Sequence, residues 1–161
     1  MSAPQRTLLA ELRRDREAMT RHRDRTAELL AEAPFDATQW RPLTLLASTI
    51  DAWYSAFEAI AERVSRAFEG LPERGADWHR RLLEASTLDI EGVRPPLVPL
   101  TRLLPLRELL GLRHVHRHAY HIDLDPTRLV ELGHVLVATH DAVREDLDLF
   151  ESHIRAALTL P

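Results

Sequence analysis

From about Gln5 to Ala33, Leu8, Leu12, Met19, Leu29 and Leu30 form a thin apolar stripe among many arginines and acids, a spacing that predicts a long helix with one narrow buried edge. Arg13, Arg14, Arg16, Arg21, Arg23 and Arg25 on it are interleaved with Asp15, Glu17, Asp24 and Glu28. That alternation reads as a solvated face with local ion pairs rather than a nucleic-acid patch. Residues 34 to 42, bounded by Pro34 and Pro42, break the pattern. Beyond them Leu46, Ile50, Trp53, Phe57, Ile60, Val64 and Phe68 recur at steps of three and four, predicting an amphipathic helix over Leu43 to Glu69 that Gly70 ends. At that spacing its aromatic residues read as core, not as a platform for stacked bases.

The LPERG segment is a turn, after which Asp77 is placed to cap a short helix through Trp78, Leu82 and Leu83. In GVRPPLVP the clustered prolines disfavour helix interiors and paired strands alike, so the segment is expected to be a loop. A further helix is predicted from near Thr101 through Leu109 and Leu112 to about Tyr120, with Pro105 tolerated in its first turn. Asp125 as N-cap and Pro126 at the first helical position then open a long last helix through Leu129, Leu132, Leu136, Val143, Leu147, Phe150, Ile154 and Leu158. The expectation is an all-α bundle of four to five helices forming one domain over residues 1–161.

Composition sharpens this picture at a few points. The net charge of -4 argues against holding nucleic acid by bulk electrostatics, so any such contact must be local. There is no Lys, and every permanent side-chain cation is therefore an Arg, whose planar fork matches phosphate. The absence of Cys removes disulfides, thiolate ligands and a cysteine nucleophile. The N-terminal stretch lacks the apolar core of a signal peptide and no apolar run is long enough to span a bilayer, so a cytoplasmic protein without a membrane partner is expected.

One stretch stands apart. RHVHRHAY, residues 113 to 120, holds two arginines, three histidines and a tyrosine without a carboxylate. An Arg followed five positions later by a His has little weight alone, since with 21 arginines and 9 histidines chance supplies about one such pair. Arg74 and His79 form a second pair, but they straddle a turn and lack a tyrosine two residues on, so they are read as the chance one. Arg113 and His118 instead end a helix, precede Tyr120, and lie in a segment whose arginines at 102, 107, 113 and 117 face one acid of their own helix, Glu108. On an ideal helix Arg113, Arg117 and Tyr120 share a face, and His114, His118 and His121 share another. Arg113 and His118 then diverge by about 140°, which points to a groove at the helix end or to a site shared by two copies of the chain.

The Arg113, His118 and Tyr120 pattern at the end of a bundle helix resembles that of the HEPN superfamily of small helical ribonucleases, specifically its HepT-like toxin branch. The order of WYSAFEAIAERV, GLPERGADWH, RPP and LDPTRL around it carries the resemblance from about residue 45 to 130. His114 departs from the Asn or Asp common after the Arg in that family. The resemblance implies a metal-independent endoribonuclease toxin without a cofactor, acting on RNA as a homodimer with its cleft at the two-fold seam. Arg113 would stabilise charge on the phosphorus oxygens and His118 would act as base or acid, with His114, His116 and Arg117 as supporting contacts. It also implies a nucleotidyltransferase antitoxin that adds AMP to the tyrosine of the motif, here Tyr120.

Two other readings compete. His114 and His118, with His121 a turn further and Asp123 or Asp125 as oxygen donors, have the spacing to hold a divalent metal, although Arg113 and Arg117 would repel one. Alternatively the bundle is a non-catalytic interaction module, and the basic residues merely complement the negative end of a helix dipole. His22, His79, His134, His140 and His153, on other helices, are expected to be polar or packed residues rather than ligands.

Overall fold

The computed structural model describes residues 3–70, 75–118 and 125–159, with the backbone alone for 113–118 and 157–159. Among the described residues five α-helices follow one another: α1 (Ala3–Leu30), α2 (Trp40–Phe68), α3 (Trp78–Ser86), α4 (Leu103–His118) and α5 (Pro126–Thr159). A 3-10 turn, Leu100–Arg102, leads into α4. The fold is an all-α bundle, as the apolar periodicity predicted.

The apolar stripe of α2 is the centre of the core. Leu43, Leu46, Ala47, Ile50, Trp53, Tyr54, Phe57, Ile60, Ala61 and Val64 are all buried at three- and four-residue steps. α2 starts three residues earlier than its apolar pattern suggested, because Pro42 sits in the first turn, where the missing N–H would be unpartnered in any case. It ends where expected, with Gly70 in the left-handed region at φ 92°. Pro105 likewise lies in the first turn of α4. Asp125 caps α5, its carboxylate accepting from the Thr127 N–H at 3.0 Å and its carbonyl from the Leu129 N–H at 3.0 Å. Asp77 behaves otherwise: it holds the N-cap position of α3, its carbonyl accepting from the Arg81 N–H at 3.0 Å, but its carboxylate makes no capping bond and pairs with Arg80 at 3.2 Å instead.

Side-chain pairs between helices fix their directions. Thr26 to Thr49 at 3.0 Å and Asp15 to Arg63 at 2.8 Å make α1 and α2 antiparallel. Arg16 to Glu151 at 2.5 Å and Leu30 packed on Gly133 make α1 and α5 antiparallel. A Cβ on Gly133 would lie 3.0 Å from the Leu30 side chain, so the glycine permits this close crossing. α5 therefore runs with α2, consistent with Trp53 meeting His140 and Phe68 meeting Phe150. Arg102 to Asp146 at 2.8 Å and Glu108 to Arg128 at 3.1 Å set α4 antiparallel to α5.

The charges of α1 are less local than their spacing suggested. Arg25 does pair with Glu28 at 2.8 Å, but Arg16 reaches Asp148 and Glu151 on α5, and Asp15, itself buried, takes Arg63 of α2. Acids over a hundred residues away are invisible to a local charge pattern. The polar helix is thus tied into the bundle by ion pairs on both sides of its narrow apolar edge.

Candidate functional site

α4 is held by Leu106, Leu109 and Leu112, buried at helical spacing against the core. Its helical backbone continues through His118, so Arg113, His114, His116, Arg117 and His118 occupy its C-terminal end as predicted. Five positions apart on one helix, Arg113 and His118 are separated by about 140° around the axis. Their helix ends at the same end of the bundle as the start of α2, because α4 is antiparallel to α5 and α5 runs with α2. Trp40 and Leu45, at that start of α2, are 64% and 47% exposed, and Arg41 lies 5.3 Å over the Trp40 ring. Tyr120, His121 and Asp123 lie outside the described residues, as does Arg74.

The positive balance of α4 is narrower than its own sequence implies. Arg102 pairs with Asp146 of α5 at 2.8 Å, Arg107 with Glu84 of α3 at 3.2 Å, and Glu108 is taken by Arg128 of α5. The arginines of its first half are thus neutralised by other helices. Arg113 and Arg117 belong to the half that carries the motif.

Among the described residues no group of three or more His, Asp or Glu side chains is arranged to hold a metal ion. The Asp125 carboxylate is occupied as a helix cap. His114 and His118 are described by their backbone alone and His121 not at all, so the geometry of that candidate metal set lies outside the described side chains.

Two histidines set aside in the sequence turn out to be specifically placed. His140 is buried on α5, its Nδ1 accepting the Trp53 indole N–H at 3.0 Å. Burial, and next the positive charge of Arg23, holds its pKa below the usual histidine value. His79, at the start of α3, sits with Nδ1 2.6 Å from the Glu58 carboxylate and its ring 4.2 Å from that of Trp78. Glu58 is buried on α2, whereas the His79 side chain is 30% exposed. The signal that could have found this pair is Glu58 itself, a carboxylate four residues after Tyr54 and next to Phe57 on the apolar stripe, where only a partnered acid is tolerable.

No curated protein and no solved structure matches the chain. A family model described as HepT-like protein does match, over residues 45–154, and this span contains most of α2, all of α3 and α4, the motif and most of α5. The chain belongs to the HepT-like family.

Proposed function

We propose that the protein is a metal-independent endoribonuclease, the toxin of a toxin–antitoxin pair. The observation that carries this reading is the Arg113–His118 pair at the C-terminal end of α4 in a chain of the HepT-like family. An imidazole titrates near neutrality and can move the proton of a ribose 2′-hydroxyl, while a guanidinium can offset charge gathering on the phosphorus oxygens. His118 takes the first role and Arg113 the second, with His114, His116 and Arg117 as supporting RNA contacts. The angular divergence of the pair, and the exposed Trp40 and Leu45 at the same end of the bundle, favour a site completed at the seam of a homodimer. Tyr120 is the point of control: AMP added there by a nucleotidyltransferase antitoxin brings an anion that the neighbouring arginines can bind, blocking the place of the RNA phosphate.

The test is cleavage of purified tRNA and mRNA in EDTA. Wild-type protein is expected to cleave, with Arg113→Ala and His118→Ala each at least about 100-fold slower. Incubation with the nucleotidyltransferase, ATP and magnesium is expected to add AMP mass at Tyr120 and to abolish cleavage, while Tyr120→Phe stays active. Cleavage strictly dependent on added zinc or manganese would replace this reading with the metal site at His114 and His118.

A further inference from the structure

Cleavage of RNA by its own 2′-hydroxyl requires two proton transfers. One group takes the 2′-hydroxyl proton as that oxygen attacks phosphorus, and another gives a proton to the 5′-oxygen as the P–O5′ bond breaks, leaving a 2′,3′-cyclic phosphate and a 5′-hydroxyl. His118 can supply only one of these in a single site.

His79 has the arrangement needed for the other. Among the described residues it is the one imidazole with a carboxylate on its ring, the Glu58 oxygen 2.6 Å from Nδ1. A carboxylate there orients the ring and occupies Nδ1, leaving Nε2 as the nitrogen that can exchange a proton with a substrate. Nε2 has no hydrogen-bond partner among the described residues and is not sealed in the core. The Trp78 ring beside it limits the freedom of the imidazole further.

A direct contact joins the helix that carries His79 to the helix that carries the motif. His79 meets Glu58 on α2, while Arg94 bridges Glu69 at the end of α2 to Ala85 near the end of α3, so α3 runs with α2. α4 runs against α2 and therefore against α3. Glu84 pairs with Arg107. Five residues back along α3 from Glu84 is His79, and six forward along α4 from Arg107 is Arg113, so His79 stands on the helix tied directly to the one that carries the motif.

We propose that His79, oriented by Glu58, is a second proton-transfer residue of the ribonuclease site, the acid that protonates the leaving 5′-oxygen. The inference rests on the ribonuclease reading above. The other source of that proton is His118 of a second copy of the chain, and the experiment separates the two.

The variants His79→Gln, Glu58→Gln, Arg113→Ala and His118→Ala are compared in the full-length protein by single-turnover cleavage in EDTA. The substrates are tRNA and, once its cleavage position is mapped, an oligonucleotide of that sequence with sulfur in place of the bridging 5′-oxygen. A thiolate leaves without a proton, so this linkage does not need an acid. His79→Gln, which keeps a polar side chain beside Glu58, is expected to cleave the oxygen linkage at least about 100-fold more slowly than wild type and the sulfur linkage within about 5-fold of it. Glu58→Gln is expected to show the same selective defect at smaller size, while Arg113→Ala is slow on both linkages. His79→Gln at the wild-type rate on tRNA, or equally slow on both linkages, overturns the proposal while leaving the ribonuclease reading in place. A wild-type protein that cleaves neither substrate, or Arg113→Ala and His118→Ala as active as wild type, overturns the ribonuclease reading and this inference with it.

Discussion

Trp53 and His140 lock each other's chemistry in the core. The indole nitrogen is only a donor, so His140 must present a lone pair at Nδ1 and carry its proton on Nε2. A second proton would land on Nδ1, facing the indole N–H, and break the bond. Burial, and next the charge of Arg23 on α1, lowers the His140 pKa; Asp141 and Asp24 oppose the shift and Arg144 adds to it. The unfolded chain takes up this proton near pH 6.5, the folded chain only at lower pH. Between those points the unfolded state binds more protons, so stability rises with pH there, is complete above about pH 6.5, and is lost as pH falls towards the folded value at up to about 1.4 kcal/mol per pH unit. His22, also lowered by burial and by Arg21, adds a share of the same sign. His140→Gln, which keeps an acceptor for the indole, is expected to shrink the difference between urea midpoints at pH 7.5 and pH 5.5. An undiminished difference would assign the slope to other groups. None of this was visible in the sequence, where Trp53 and His140 are 87 residues apart.

At the scale of elements, what was legible followed from periodicity and terminators. The stripe of α2, Gly70 after it, Pro105 in the first turn of α4 and Asp125–Pro126 at the start of α5 all act within a turn or two of chain, and each did what its chemistry dictates. The loop before α4 obeys longer-range rules. Its prolines told that it is irregular, but not that Arg94 within it is a buried clamp. That guanidinium donates to Glu69 at 2.7 Å and to the carbonyls of Ala85, Leu88 and Pro95, joining the ends of α2 and α3 to the entry of α4. The side chain is 2% exposed. A lysine ammonium cannot span four acceptors in different directions. Arg94→Lys is therefore expected to lower unfolding stability by about 2 kcal/mol, and Arg94→Met by about 3 kcal/mol, because buried carbonyls and part of Glu69 lose their donor. Urea denaturation measures both; a loss below about 0.5 kcal/mol for Arg94→Met would mean that the loop finds other donors.

For the whole molecule, the motif was legible as residues but not as a site. RHVHRHAY shows in one line of sequence which groups could react, and the helical backbone through His118 keeps Arg113 and His118 on different sides of α4. What meets them there depends on elements far away in the chain, as the Asp146 and Glu84 partners of Arg102 and Arg107 illustrate. A two-fold dimer resolves the divergence if each site takes Arg113 from one chain and His118 from the other. That arrangement has a quantitative consequence. Arg113→Ala chains keep a good His118, and His118→Ala chains keep a good Arg113. A heterodimer of the two then holds one intact site and one doubly damaged site. Random re-association of equal amounts makes half the dimers heterodimers, each with one of two sites working, so about a quarter of wild-type ribonuclease activity is expected to return on mixing two inactive proteins. Light scattering on the same samples checks that dimers persist at the assay concentration. Mixed dimers without recovered cleavage would place both residues of each site on one chain, and a monomer with full activity would remove the seam from the mechanism.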